Sequence, residues 1–355
     1  MLLGLVVVSC SSTPATSAGS GWATRTSAGL NLDELVAAAK SEGQVNVVGL
    51  PPDWARYGFL FDGFRAKYGI KVSNLDPNAI SQDEIDLAKR LGRSKNAPDV
   101  FDLNMTAALA SAKLFAPYKV QQWEAIPDGQ KSGDGAWFQD YGGYMAIGYD
   151  SAKLPAVAQL DDLLQPSFKG KVALKGDPNV DDTALYAVMM AALDEGGSLD
   201  NIAPGVDFFH RLRQKGNFLG IAATNATVKS LQTPVVLDWE FLSRAHSNDI
   251  ATWQIVVPGV ALLGVYFVQA INRSAPHPAA ARLWEEYLYS AAGQNEWLKS
   301  GARPAEMKAM QRAGTIDPVA AGTLPRVTGT PLFMSPAQAA AARAYLAANW
   351  TKAIA

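Results

Sequence analysis

Two hydrophobic rhythms alternate along most of this chain. Tyr57, Leu60, Phe61, Phe64 and Tyr68 recur at i, i+3, i+4, i+7 and i+11, the spacing of one helical face. Upstream, Asn31 has the character of an N-cap with Glu34 three residues on. It opens a helix carrying Leu32, Leu35, Val36 and Ala39, which Gly43 ends. Between such stripes lie short β-rich runs at 44–50 (QVNVVGL), 70–75 and 99–103 (DVFDL), which predict strands. Ser81 and Glu84 have capping-box spacing ahead of Ile85, Ala88 and Leu91, and residues 106–114 predict a further helix. Strands separated by helices of this size imply βαβ units and a parallel sheet.

The pattern changes after Gly135. Residues 141–150 (YGGYMAIGYD) predict paired strands that cross from one body to another. A second α/β set follows: a strand at 171–174, helices at 182–193, 206–214 and near 227–231, and a strand at 235–239. The chain returns through 255–272 to a helical C-terminus, where Ser335, Pro336 and Gln338 supply a cap, a first-turn proline and a capping-box partner. Residues 255–271 are the one stretch apolar enough to suggest a membrane span. Pro258, Gly259 and Gly264 interrupt it and its length is at the short limit, so buried strands are expected instead. The division implied is 31–148 with 252–355 as one lobe and 149–251 as the other. No internal repeat is visible.

Composition agrees with this picture: 355 residues, 48% hydrophobic and 18% charged, are enough for two lobes with real cores. A net charge of −2 and the absence of like-charge blocks give no reason to expect a nucleic-acid partner. The single cysteine, Cys10, ends a short apolar run in Val7-Val8-Ser9-Cys10. Residues 1–10 therefore read as a signal peptide closing on a lipobox, with Cys10 as lipid acceptor, although no Lys or Arg precedes the run. Residues 11–30, rich in Ser, Thr, Ala and Gly, read as a flexible tether between membrane anchor and folded body. One cysteine permits no internal disulfide. There is no Gly-x-Ser-x-Gly elbow, Walker A sequence, His-Glu-x-x-His or Gly-x-Gly-x-x-Gly after a strand. The expectation is a protein that is not an enzyme and that carries neither cofactor nor resident metal.

Several segments in order carry a family resemblance: Gly69-Ile70-Lys71-Val72, Ala97-Pro98-Asp99-Val100, residues 160–172 (LDDLLQPSFKGKV), residues 271–281 (INRSAPHPAAA) with Tyr287-Leu288-Tyr289-Ser290 and Gly293-Gln294, and Gly301-Ala302-Arg303-Pro304. Spread over roughly 40–305, they resemble the bacterial ABC-transporter extracellular solute-binding proteins, in the branch that binds iron, polyamines and phosphonates. That resemblance implies a two-lobed periplasmic-binding-protein-like α/β fold of type II, each lobe a mainly parallel sheet flanked by helices and joined by crossing strands. It also implies a monomer outside the cytoplasm that closes on a small solute and delivers it to a permease with its ATPase subunits.

Ligands in open α/β sheets bind beyond the carboxyl ends of the strands. Applied to the expected strands, that rule selects Asp53 and Trp54 after the first, Asn104 after the third, and Tyr141 with Tyr144 near the crossing. In the second lobe it selects Asp182 beside Asp181, Asn225 after Thr224, then Asp238, Trp239 and Glu240; Tyr266 lies in the returning segment. Each has a plainer alternative: a helix cap for Asp182 and Asn225, an Asx turn for Asn104, a solvated turn for Asp53, core packing for the aromatic residues. Aromatic faces mixed with carboxylates suit a cationic amine through cation–π attraction and charge-assisted hydrogen bonds. The resemblance to polyamine binders extends to Asp181-Asp182 and Trp239, and departs at Val265-Tyr266-Phe267, where that group usually has an aspartate. Tyr266-Phe267 also breaks the adjacent tyrosines usual in iron binders, and only His210, His246 and His277 are present. An amine is favoured; ferric iron, or a phosphonate or sugar phosphate, is the alternative. A secreted hydrolase and a surface adhesion lipoprotein are more remote.

Overall fold

The computed structural model describes residues 31–355; Cys10, the expected signal segment 1–10 and the tether 11–30 lie outside the described residues. The first elements follow the hydrophobic pattern closely. Helix α1 (Leu32–Glu42) starts on Asn31, whose Oδ1 accepts the Glu34 amide at 3.3 Å, and ends at Gly43 with φ +77°. After β1 (Gln44–Val47) comes α2 (Tyr57–Tyr68), which buries all five residues of its apolar stripe. Strand β2 (Lys71–Asn74) pairs in parallel with β1, and α3 (Ser81–Leu91), β3 (Val100–Leu103), α4 (Met105–Ser111) and β4 (Phe115–Ala116) follow. Ser81 is the first helical residue of α3, not its cap. Asp83 Oδ2 accepts the Ile80 amide at 3.2 Å, and Glu84 turns inward and is buried.

The crossing consists of one long strand rather than a pair: β5 runs from Phe138 to Asp150. Beyond it come β6 (Val172–Leu174), α5 (Asp182–Asp194), α6 (Ala203–Gln214), α7 (Asn225–Lys229), β7 (Val235–Trp239), α8 (Glu240–Arg244), β8 (Trp253–Val256) and β9 (Leu263–Asn272). The chain closes with α9 (Pro278–Leu288), α10 (Ala291–Ser300), β10 (Arg303–Pro304), α11 (Met307–Ala313), α12 (Pro318–Gly322), β11 (Leu332–Phe333) and α13 (Pro336–Ala353). The first half of β5 pairs antiparallel with β9, and the second half with β7 and β8. One strand therefore belongs to both lobes. The β6–β7 and β1–β2 pairings are parallel, as expected, but β3, β4 and β5 all run antiparallel to β9, so the sheet is mixed. A strand that leaves one lobe and a strand that returns to it must run in opposite directions, which is why the mainly parallel expectation fails at the crossing.

Where β5 passes between lobes its register with β9 shifts between Gln139 and Gly142. A Cβ on Gly143 would lie 2.8 Å from Phe241 Cδ1, so the second lobe packs directly against glycine backbone here. Residues 255–271 form the end of β8, a connection and most of β9; among the described residues no helix is long and apolar enough to cross a membrane. Helix α13 lies on α6, with Trp350 ring-to-ring with Phe209 at 5.3 Å and His210 Nδ1 2.7 Å from the Ala353 carbonyl oxygen.

Candidate functional site

The lobes touch at an aromatic cluster. Trp54, on a short 3-10 turn just before α2, lies edge-on to Phe267 of β9 at 6.1 Å and to Phe241 of α8, across the lobe boundary, at 6.2 Å. Its Nε1 donates to Tyr141 Oη at 2.7 Å. Tyr141 is fully buried, stacked between Phe267 at 5.2 Å and Trp297 at 5.0 Å. Beneath it, Tyr57 Oη donates to Asp102 Oδ2 at 2.6 Å, the Asp102 amide donates to Glu84 Oε2 at 3.1 Å, and Gln269 Nε2 donates to Asp140 Oδ2 at 2.8 Å. Glu285 of α9 is buried nearby with neither carboxyl oxygen hydrogen-bonded. Burial pushes the Asp102 carboxyl up to about 7 against the pull of the Tyr57 and Tyr141 hydroxyls. It also raises Asp140, Glu84 and Glu285, and the neighbouring carboxyls add to each rise.

A second cluster sits at the hinge. Arg303 of β10 makes a two-pronged pair with Glu240, Nε to Oε1 at 2.6 Å and Nη2 to Oε2 at 2.9 Å, and both residues are buried. Glu240 Oε1 also accepts the Tyr144 amide at 3.1 Å, and Arg303 Nη2 donates to the Pro325 carbonyl at 2.7 Å. One guanidinium–carboxylate pair thus joins the first lobe, the crossing strand, the second lobe and the segment leading to α13. Burial raises the Glu240 carboxyl and Arg303 opposes it; Tyr266, beside Tyr144, is raised by burial.

On the second lobe, Asp238 Oδ1 accepts the Trp239 amide at 2.8 Å and Oδ2 lies 3.6 Å from Lys175 Nζ. Burial lifts Asp238 to about 6 although Lys175 pulls the other way. Trp239 packs on Tyr186 at 5.0 Å. The remaining candidates take local roles. Asp181, not Asp182, caps α5, with Oδ1 accepting the Ala184 amide at 2.7 Å; Asp182 is 69% exposed and pairs with Arg343 of α13. Thr224 caps α7, leaving Asn225 as its exposed first residue. Asn104 caps α4 through a 2.9 Å bond from the Ala107 amide, and Asp53 is exposed in the turn before Trp54.

The structure therefore brings together Trp54 with Tyr141 and Glu240 with Tyr144 and buries the neighbours Asp238 and Trp239 at the end of β7, while Asp53, Asn104, Asp182 and Asn225 stand at element ends. Sequence reasoning passed over Lys175, Arg303, Tyr57, Asp102, Phe241 and Phe267. Lys175 directly follows β6, so the strand-end rule that selected Asp53 would also have found it. Asp102 is a charged residue inside an apolar strand, which is a signal of its own. Nothing local marks Arg303. Two surface depressions lie elsewhere and include none of the candidate residues. One of about 570 Å³ runs along α3, and one of about 250 Å³ lies between residues 218–222 and the end of α13. Among the described residues no group of three or more His, Cys, Asp or Glu side chains is disposed to hold a metal ion.

With this geometry in hand, comparison with known proteins is informative. Residues 91–317 match the family model described as bacterial extracellular solute-binding protein. Among solved structures, an extracellular solute-binding protein from Bordetella parapertussis superposes with a TM-score of 0.70 at 14% identity, covering 89% of this chain and 100% of that one. The spermidine/putrescine ABC transporter substrate-binding protein PotD from Streptococcus pneumoniae gives 0.64 at 14% identity over 88% and 99% of the two chains. Iron-bound HitA from Pseudomonas aeruginosa gives 0.61 at 18% identity over 87% and 99%. At these identities the likeness is one of fold, a two-lobed α/β architecture.

Proposed function

The chain belongs to the bacterial extracellular solute-binding protein family, and from that premise we propose that it captures one small polar solute between its lobes and delivers it to the permease of an ABC importer. The observation that carries this reading is the aromatic contact across the lobe boundary, Trp54 against Phe241, beside a glycine crossing at Gly142-Gly143. A solute touching both walls favours the closed arrangement by its differential affinity, and the membrane subunits can distinguish loaded from empty. It acts by binding, as a monomer, without catalytic turnover. Trp54, Tyr141, Asp238, Trp239 and Tyr266 are the side chains proposed to face the solute, with Asp53, Asn104, Asp182 and Asn225 along the rim and Glu240 at the hinge.

An amine remains the favoured cargo, because aromatic rings and a carboxyl group meet at Asp238-Trp239. A phosphonate or sugar phosphate is the second reading. Lys175 favours it, an ammonium with a side chain 24% exposed at the end of β6. A thermal-shift screen with polyamines, amino acids, phosphonates, sugar phosphates and ferric chelates separates these readings. One class should raise the melting temperature by several degrees, and silence across all classes would remove the capture reading. Lipid attachment at Cys10 belongs to the same proposal: Cys10→Ala should move the protein from the membrane fraction to the soluble one, and retention would sink that claim.

A further inference from the structure

The turn that carries Trp54 is held in an unfavourable backbone conformation. Among the described residues three non-glycine residues have left-handed φ, and two of them are the neighbours Ala55 at +45° and Arg56 at +62°. An L side chain crowds the following carbonyl in that region, and glycine, which escapes the cost, stands at neither position. The turn is short and its ends are fixed. Pro51 and Pro52 stiffen the entry, the Trp54 and Gly58 amides donate to the Pro51 and Pro52 carbonyls at 3.0 and 2.8 Å, and α2 begins at Tyr57. Three side chains oppose the strain. The Trp54 indole donates to Tyr141 and lies edge-on to Phe267 and, across the lobe boundary, to Phe241. Ala55 is buried, and Arg56 pairs with Glu296 of α10 at 2.9 Å with its guanidinium 3.7 Å above the Phe59 ring. Of these restraints the Phe241 contact is the one supplied by the other lobe, so parting the lobes removes it and leaves the strain.

We propose that residues 51–56 form a spring-loaded gate at the lobe boundary. As the lobes part, Trp54 loses Phe241, the turn relaxes with Ala55 and Arg56 in ordinary backbone conformations, and the indole withdraws to admit a solute. Closure restores the Phe241 contact and cocks the turn again. Backbone strain persists only where the surroundings over-determine it, so the loss of one contact is enough to move the turn between two arrangements. This rests on the reading that the solute is captured between the lobes, but its test needs no solute.

In the purified full-length protein, with its tryptophans replaced by 5-fluorotryptophan, the Trp54 fluorine resonance is assigned by its loss in Trp54→Phe. Relaxation dispersion then reads the population of a second Trp54 environment. Glu296→Gln frees Arg56 and should raise that population about two- to fivefold, the worth of a partly exposed ion pair. Adding Ala55→Gly should lower it again by about threefold, because glycine accepts the left-handed φ without strain. Arg56→Gln breaks the same pair from the other side and decides the matter if Glu296→Gln does not fold. A Trp54 resonance without exchange in the ion-pair variant overturns the gate. So does a second population that Ala55→Gly leaves unchanged or enlarges. A failed solute screen would instead overturn the capture reading and leave this measurement intact.

Discussion

In the first lobe, Asp102, Asp140, Glu84 and Glu285 are buried together with tyrosines and a glutamine for company, whereas across the hinge and the second lobe each prominent carboxylate faces a cation. Glu240 has Arg303, and Asp238 has Lys175. Both arrangements answer the same physical problem, since a lone buried charge is too costly to keep. A cation solves it by pairing, at the cost of desolvating two ions, and locks two chain segments in one geometry. Protons solve it by removing the charge, and leave the site sensitive to pH. The Glu240–Arg303 pair ties the lobes together at the hinge, whereas the proton-bearing carboxyls lie inside the first lobe.

The largest effect expected from breaking this contrast is at the hinge. Arg303→Ala would leave Glu240 buried and unpaired, and should cost about 3–5 kcal/mol in denaturant unfolding. Replacing both partners by Met should recover most of that loss, and a double variant as unstable as the single one would mean that the pair is not the cause. Next comes the pH dependence. Asp102 (about 7), Asp238 (about 6) and Glu306 (about 8) are all raised above their ordinary values, so the stability they contribute is complete below about pH 4. It is lost as pH climbs through the folded values. The melting temperature should therefore fall by several degrees between pH 5.5 and pH 8.5, and Asp102→Asn should flatten part of the slope. A melting temperature that rises over that window would contradict the protonated cluster. The smallest effect is at Glu285: if it is already a neutral acid, Glu285→Gln should cost less than about 1 kcal/mol, well below the cost at Arg303. A larger loss would mean that Glu285 carries charge.

Much of the fold was legible because it is written in local rules. The α2 stripe, the Asn31 and Ser335 caps, the strand at 235–239 and the strand–helix alternation all depend on neighbours within a few residues. Ser81 misled for the same reason. Capping spacing was present, but Glu84 gains more from accepting the Asp102 amide inside the lobe than from a cap on the surface. The candidate site was legible only as a set of chain positions. Trp54, Tyr141 and Glu240 were found by the strand-end rule, whereas their partners Phe241, Phe267 and Arg303 lie far along the chain from the residues they meet.

By itself the sequence determined the α/β class, the succession of most elements and the stretch where the chain crosses between lobes, because hydrophobic period, capping and turn chemistry are short-range. Only the tertiary structure decided that β5 is a single strand shared by both lobes, that α13 packs on α6, and which carboxylates carry a cation and which a proton. Those outcomes depend on which residues share a buried, low-dielectric space, and segments more than 100 residues apart in sequence, such as Tyr57 and Gln269 or Tyr118 and Glu286, meet there only after folding.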